Sequence, residues 1–134
     1  MDLSKFIRTV PDFPEPGIMF RDVTTLFAEP QAFKAMIEQF NQQFYGVDID
    51  YIGGIDARGF IIGAALALTR EIGFVPVRKK GKLPYDTISE DYALEYGTAT
   101  LELHTDAVSA GAKVLIVDDL IATGGTAIAA VNLF

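Results

Sequence analysis

The run VLIVDDLIATGGTAIAAVNLF, residues 114–134, sets two adjacent carboxylates, Asp118 and Asp119, directly after an apolar stretch. Side-by-side ionised carboxylates repel, a cost that sugar hydroxyls, a metal ion or a developing cation offsets. The ATGGT that follows, residues 122–126, offers consecutive backbone N–H groups without bulky side chains, plus the hydroxyls of Thr123 and Thr126. Glycines leading into a helix make a ready anion site, because unsatisfied N–H donors and the helix dipole both favour negative charge. Thr126 is also of a type that caps helices. Acids beside a phosphate cradle suit a ligand with hydroxyls at one end and a phosphate at the other, the shape of a ribose 5-phosphate.

Other uses of such a segment are weaker. The magnesium-binding strand of P-loop nucleotidases also ends in acids, but the chain contains no G-x-x-x-x-G-K-[ST]. The phosphoacceptor strand of receiver domains opens its fold, whereas only 15 residues follow Asp119 here. A plain strand–turn–helix corner explains the glycines but not the paired acids and threonines. A second segment, DARGF, holds Asp56, Ala57, Arg58 and Gly59. Arg58 can fork onto a diphosphate oxygen or pair with Asp56 at the surface, and Gly59 would let backbone and anion approach closely. A third, RKKGK, gathers Arg78, Lys79, Lys80 and Lys82, four of the eleven positive charges. A charge run is usually a solvated loop, yet a basic cluster in an acidic chain also steers an anionic substrate.

Positioning these residues calls for an α/β fold. DYIGGID reads as a buried strand over Tyr51–Ile55, followed by a turn and a helix from about Gly59 to Ile72. FVPVRK reads as another strand, with Pro76 at an edge or a strand end. GKLPYDTISEDYALEYG is polar and turn-rich, and is expected to be a mobile excursion. TATLELH alternates, placing Ala99, Leu101 and Leu103 on one face, while VLIV reads as a strand buried on both faces. A helix fits Pro30 to Phe44, with Pro30 in its first turn and Phe33, Ile37, Phe40 and Phe44 recurring at helical steps. The first 27 residues look irregular, with three of the six prolines in PDFPEPG. Strands alternating with helices give a mainly parallel sheet flanked by helices, whose ligand site lies beyond the carboxyl ends of the strands. The two acids and DARGF both fall there.

Composition narrows the field. Half of the 134 residues are apolar, enough for a single domain with one core. A net charge of −7 disfavours nucleic-acid binding. The longest uncharged apolar run, GFIIGAALALT, is far short of a membrane span. No signal-like run opens the chain and no cysteine occurs in it, so a cytoplasmic setting without membrane contact is expected.

VLIVDDLIATGGT resembles, position for position, the phosphoribosyl-diphosphate (PRPP) motif of the type I phosphoribosyltransferases. DFPEPGIMFRDVT, DARGF, RKKGKLP and LEYGTATLE together resemble the adenine-using branch of that family, from about Val10 to the last residue. The resemblance implies the type I phosphoribosyltransferase fold and transfer of the 5-phosphoribosyl group from PRPP to adenine, giving AMP and pyrophosphate in purine salvage. Mg²⁺ is the implied cofactor, held mainly by PRPP oxygens, with Asp118 and Asp119 assisting directly or through water. Asp118 and Asp119 would orient the ribose, and Ala122, Thr123, Gly124, Gly125 and Thr126 would fix the 5-phosphate. Ala57 and Arg58, in a strained loop often holding a non-proline cis peptide, would grip the pyrophosphate together with Arg78, Lys79 and Lys82. Glu95 would manage the purine proton, and Tyr96 would belong to a loop covering the site. Met19 and Phe20 would face the base and the main chain through Arg21 would read its edge, although Phe20 also reads as a plug over the core. His104, the only histidine, is expected at a surface or cross-strand position. The implied organisation is a hood over residues 1–27 and a PRPP-binding core over 28–134, with a flexible loop at about 80–96. A homodimer is implied as well. Relatives continue past the position of Phe134, so a domain lacking its C-terminal strands is expected. The alternatives are a PRPP-binding regulator without catalysis and an inactive truncated fragment.

Overall fold

The computed structural model describes residues 1–94, 97–121 and 124–134. Its contacts divide the chain into two units, Met1–Tyr45 and Gly46–Phe134. The division falls after the first long helix, which packs on elements that precede it.

In the first unit a short 3₁₀ turn, Leu3–Phe6, precedes β1 (Arg8–Pro11) and β2 (Met19–Asp22). The two strands pair antiparallel, Arg8 opposite Asp22 and Pro11 opposite Met19. A segment expected to be irregular is therefore a hairpin. Its strands are four residues each, too short to give a strong alternating signal, and its connection carries Pro14 and Pro16. Helix α1 (Thr24–Phe27) and helix α2 (Pro30–Gln43) follow. Pro30 stands in the first turn of α2, where its missing N–H costs nothing. Helix α2 buries Ala32, Met36 and Ile37 and contacts both α1 and the 3₁₀ turn.

The second unit holds a five-stranded sheet in the order β5-β6-β4-β3-β7. Strand β3 (Tyr51–Ile55) pairs parallel with both β4 (Gly73–Lys79) and β7 (Val114–Val117). Helix α3 (Arg58–Arg70) makes the crossover between β3 and β4 and ends at Glu71, which takes a left-handed conformation. Pro76 lies inside the sheet, yet its strand is locally an edge. Val77 turns its carbonyl toward β3, accepting the Asp56 N–H at 3.0 Å, so Pro76 turns its missing donor the other way. There β6 (Thr98–His104) pairs only with Arg78 and Lys79.

The polar stretch expected to be an excursion contains a regular strand. β5 (Thr87–Ala93) pairs with β6 along its whole length, from Thr87 opposite His104 to Ala93 opposite Thr98. It was hidden because β5 is an outer strand whose residues are exposed or only partly buried, so no fully buried apolar period marks it. β7 likewise departs from expectation. It is the outermost strand on the other side, and among its residues only Val117 is fully buried.

Helix α4 (Gly125–Leu133) packs on β5, β6 and β7. Its Ala129, Ala130 and Leu133 join Ile55, Val75, Val77, Leu101 and Leu103 in one apolar cluster. Each large side chain buried there contributes about 1.5–3 kcal/mol, which makes this cluster the support on which the strand ends rest.

Candidate active site

Three parallel strands, β4, β3 and β7, lie side by side and finish at the same end of the sheet. Each is followed at once by one of the segments singled out above. Asp56–Arg58 follow β3, Lys80–Lys82 follow β4, and Asp118 and Asp119 follow β7. Topology alone thus gathers the two acids with Arg58, Lys80 and Lys82 at the ligand-binding end of an α/β sheet.

The two acids are not equivalent. The Asp119 side chain is only 7% exposed, and its carboxylate accepts the Nε–H of Arg58. Asp118 accepts the Asp119 backbone N–H at 2.8 Å and stays half-buried. Burial, then the neighbouring Asp119 side chain and its charge, push the Asp118 carboxyl up to about 6, with Arg58 opposing. At neutral pH Asp118 is an anion held against its preference, a site that favours an arriving positive charge.

Arg58 does not pair with Asp56, the surface partner considered from sequence. Asp56 instead accepts Nε–H of Arg78 at 3.1 Å, and the Arg78 guanidinium lies 5.7 Å from the centre of the Phe60 ring. Arg78 is thereby anchored on the protein. The peptide between Asp56 and Ala57 is cis. Gly59 serves packing. A Cβ there would stand 2.8 Å from the Val117 carbonyl oxygen and 3.3 Å from Asp118 Oδ1, so only glycine lets α3 seat against the end of β7.

At the end of β4 and just beyond it, Lys79, Lys80 and Lys82 are exposed and form no salt bridge with any described residue. Helix α4 begins with Gly124 as its N-cap, at φ +88°, and the Gly124 carbonyl accepts the first helical N–H from Ile128 at 2.9 Å. No side-chain cap is present among the described residues. Thr126 lies inside the first turn and does not cap the helix, because the left-handed glycine already turns the chain into it. Gly124, Gly125 and Thr126 together form the amino terminus of α4. Ala122 and Thr123 lie outside the described residues, as do Glu95 and Tyr96.

Met19, Phe20 and Arg21 belong to β2 of the first unit. Met19 is exposed, while Phe20 is half-buried with its ring edge-on to Phe13 at 5.2 Å. Arg21 donates to the Thr9 hydroxyl across the hairpin. Asp22 ties the hairpin to α1. It accepts Arg8 Nη2–H at 2.5 Å, and its other oxygen accepts the Thr24 hydroxyl at 2.6 Å and the Thr24 N–H at 2.9 Å. These donors, Thr24 before Arg8, hold the Asp22 carboxyl down at about 2.

The phosphoribosyl transferase domain model matches residues 22–134. The adenine phosphoribosyltransferase of Dinoroseobacter shibae is 58% identical over 131 residues, covering 98% of this chain and 73% of its own. The chain belongs to the adenine phosphoribosyltransferase family. That of Maricaulis maris is 57% identical over 133 residues, 99% of this chain and 76% of its own. Among solved structures, the adenine phosphoribosyltransferase of Thermoanaerobacter pseudethanolicus superposes with a TM-score of 0.95 at 49% identity, covering 98% of this chain and 77% of that one. The Saccharomyces cerevisiae enzyme, solved with an imino-altritol bisphosphate and adenine, gives 0.93 at 44% identity, with the same coverage. The resemblance carried by VLIVDDLIATGGT and DARGF therefore extends along nearly the whole chain, and the fold is that of the type I phosphoribosyltransferases.

For a phosphoribosyltransferase of this family, sequence reasoning left out Phe60 and Glu102. Alternation in TATLELH turns Glu102 away from the buried Leu101 and Leu103, but only the folded register brings it to the basic turn.

Proposed function

We propose that this chain catalyses transfer of the 5-phosphoribosyl group from PRPP to adenine, yielding AMP and pyrophosphate. The observation that carries the reading is the gathering of Asp118, Asp119, Arg58 and the Lys79–Lys82 turn at one end of three adjacent parallel strands, in a chain of this family.

The bond from the anomeric carbon to the diphosphate oxygen breaks as a purine nitrogen attacks, and positive charge develops on the ribose. Asp118, an anion at neutral pH in a half-buried place, meets that charge with a fixed negative one, and such preorganisation is usually the largest catalytic contribution. Asp119, oriented by Arg58, accepts from the ribose hydroxyls on the other side. Residues 122–126 clasp the 5-phosphate at the amino terminus of α4. Arg58 and the lysines of the basic turn face the departing diphosphate, with Ala57 and Arg78 shaping its loop. Glu95 manages the purine proton and Tyr96 helps cover the site. Met19 and Phe20 stack on the base, while backbone groups up to Arg21 read its edge.

The donors suit Mg²⁺. Among the described residues no cluster of three metal-ligating side chains occurs, and Mg²⁺ prefers one or two carboxylates plus substrate phosphates and water. Asp118 and Asp119 would meet it there, and when bound it neutralises diphosphate charge. The same reading includes a homodimer in the cytoplasm; among the described residues no helix is long and apolar enough to cross a membrane.

Radiolabelled adenine incubated with PRPP and Mg²⁺ tests the reading directly: labelled AMP is expected. PRPP binding with no AMP formed would assign the chain to a regulator on the same fold.

A further inference from the structure

Glu102 stands in the middle of β6, in register with Arg78, and both of its carboxylate oxygens are engaged. One accepts the Gly81 backbone N–H at 2.7 Å, and the other accepts the Thr87 hydroxyl at 2.9 Å. Gly81 and Thr87 bracket the stretch that leaves β4 and begins β5, so a single side chain ties both ends of the connection to β6.

The turn it holds carries the free cations. Lys82 donates its N–H to the Lys79 carbonyl at 3.3 Å, and Gly81 sits third in that turn at φ +83°, a conformation suited to glycine. The Lys80 N–H donates to the Thr100 carbonyl at 3.1 Å. Arg78 Nη1–H reaches the Lys82 carbonyl at a long 3.5 Å. The backbone of the turn is thus pinned from β6 and from β4, while Lys79, Lys80 and Lys82 are exposed and form no salt bridge with a described residue.

From this arrangement we infer that Glu102 is a positioning residue for the diphosphate end of the substrate, acting through the Gly81 N–H to fix the Lys79–Lys82 turn at the carboxyl end of β4. The inference rests on the reading of that turn as a diphosphate grip. Fixing it in advance removes the entropy that a loose loop would lose on binding. Charge alone makes the opposite forecast. An acid beside a polyanion site repels the ligand, so removing it should tighten binding. The sign of the effect therefore separates positioning from electrostatics.

The experiment is titration calorimetry of the full chain with inorganic pyrophosphate in magnesium buffer, alongside ribose 5-phosphate, for wild type, Glu102→Ala, Glu102→Asp and Glu102→Gln. Glu102→Ala is expected to weaken pyrophosphate roughly tenfold, the worth of one charge-assisted hydrogen bond. Glu102→Asp keeps the charge but is too short to span Gly81 and Thr87, and is expected to weaken pyrophosphate as well, even should the alanine variant fail to fold. Glu102→Gln keeps an acceptor for Gly81 and is expected to bind at least as well as wild type. Ribose 5-phosphate affinity should hold throughout. Unaltered or tighter pyrophosphate binding in a folded Ala or Asp variant, equal losses for both ligands, or a Gln variant as weak as Ala would each overturn the inference. A wild type that binds no pyrophosphate would instead sink the reading of the basic turn, and the inference with it.

Discussion

Arg58 donates its Nε–H to Asp119 across 61 residues of sequence, so the first residue of the crossover helix is clamped to the acid that ends the neighbouring strand. The pair joins the loop read as gripping diphosphate to the acids read as holding ribose. Asp119 is thereby held in one orientation, whereas Asp118 accepts the Asp119 backbone N–H.

Neutralising the acids follows from that division. Asp118→Asn and Asp119→Asn keep side-chain shape and a carbonyl acceptor, so the circular dichroism spectrum should not change. Each is expected to lower kcat/KM by roughly 10²-fold or more, the usual cost of deleting a fixed transition-state charge. An unchanged kcat/KM in the double variant would remove both acids from the mechanism.

Stability against pH should expose Asp118 separately. Its folded carboxyl titrates at about 6, above the ordinary aspartate value of 3.8, so the fold binds the proton more tightly than the unfolded chain does. Stability from this group is present in acid and declines as pH rises from about 4 to 6. Asp118→Asn avoids that loss. Thermal melts without substrate or magnesium should give the variant a higher Tm at pH 7, with the advantage closing below about pH 4. A gap that did not vary with pH would contradict the assignment.

Gly59→Ala tests the seat of α3. The added methyl meets a backbone carbonyl at 2.8 Å, which cannot swing aside as a side chain would. Overpacking of this kind costs about 1–3 kcal/mol. Urea unfolding that showed no loss would mean the helix can slide without penalty.

Asp22→Ala addresses the first unit. It removes the joint among Arg8, Thr24 and the end of β2, just beyond Met19–Arg21. Steady-state kinetics should show the KM for adenine rising several-fold more than that for PRPP. A rise confined to PRPP would move base recognition away from β2.

Much of this was legible in the chain because strong local signals agreed. An apolar run over Tyr51–Ile55, alternation in Thr98–His104 and a proline opening α2 each report a period or a cap that tertiary context did not override. The acids were legible because two carboxylates ending an apolar strand have few structural excuses. Hidden elements share a different cause. β1, β2 and β5 have no fully buried residue, so no hydrophobic period marks them. Partnerships such as Arg78 with Asp56 or Glu102 with Gly81 are set by register between strands, which composition does not encode.

Pro76 has a consequence for cooperativity. Because Pro76 itself offers no donor on that flank, β6 joins β4 only beyond it, through two register pairs extended by the Lys80 N–H. The hairpin is then moored less by its ladder than by Leu101 and Leu103 lodged beneath α4. Amides in the β5–β6 pair should accordingly exchange with solvent as a block distinct from those of β3. The hairpin could then open while the parallel strands, and the acids at their tips, stay in register.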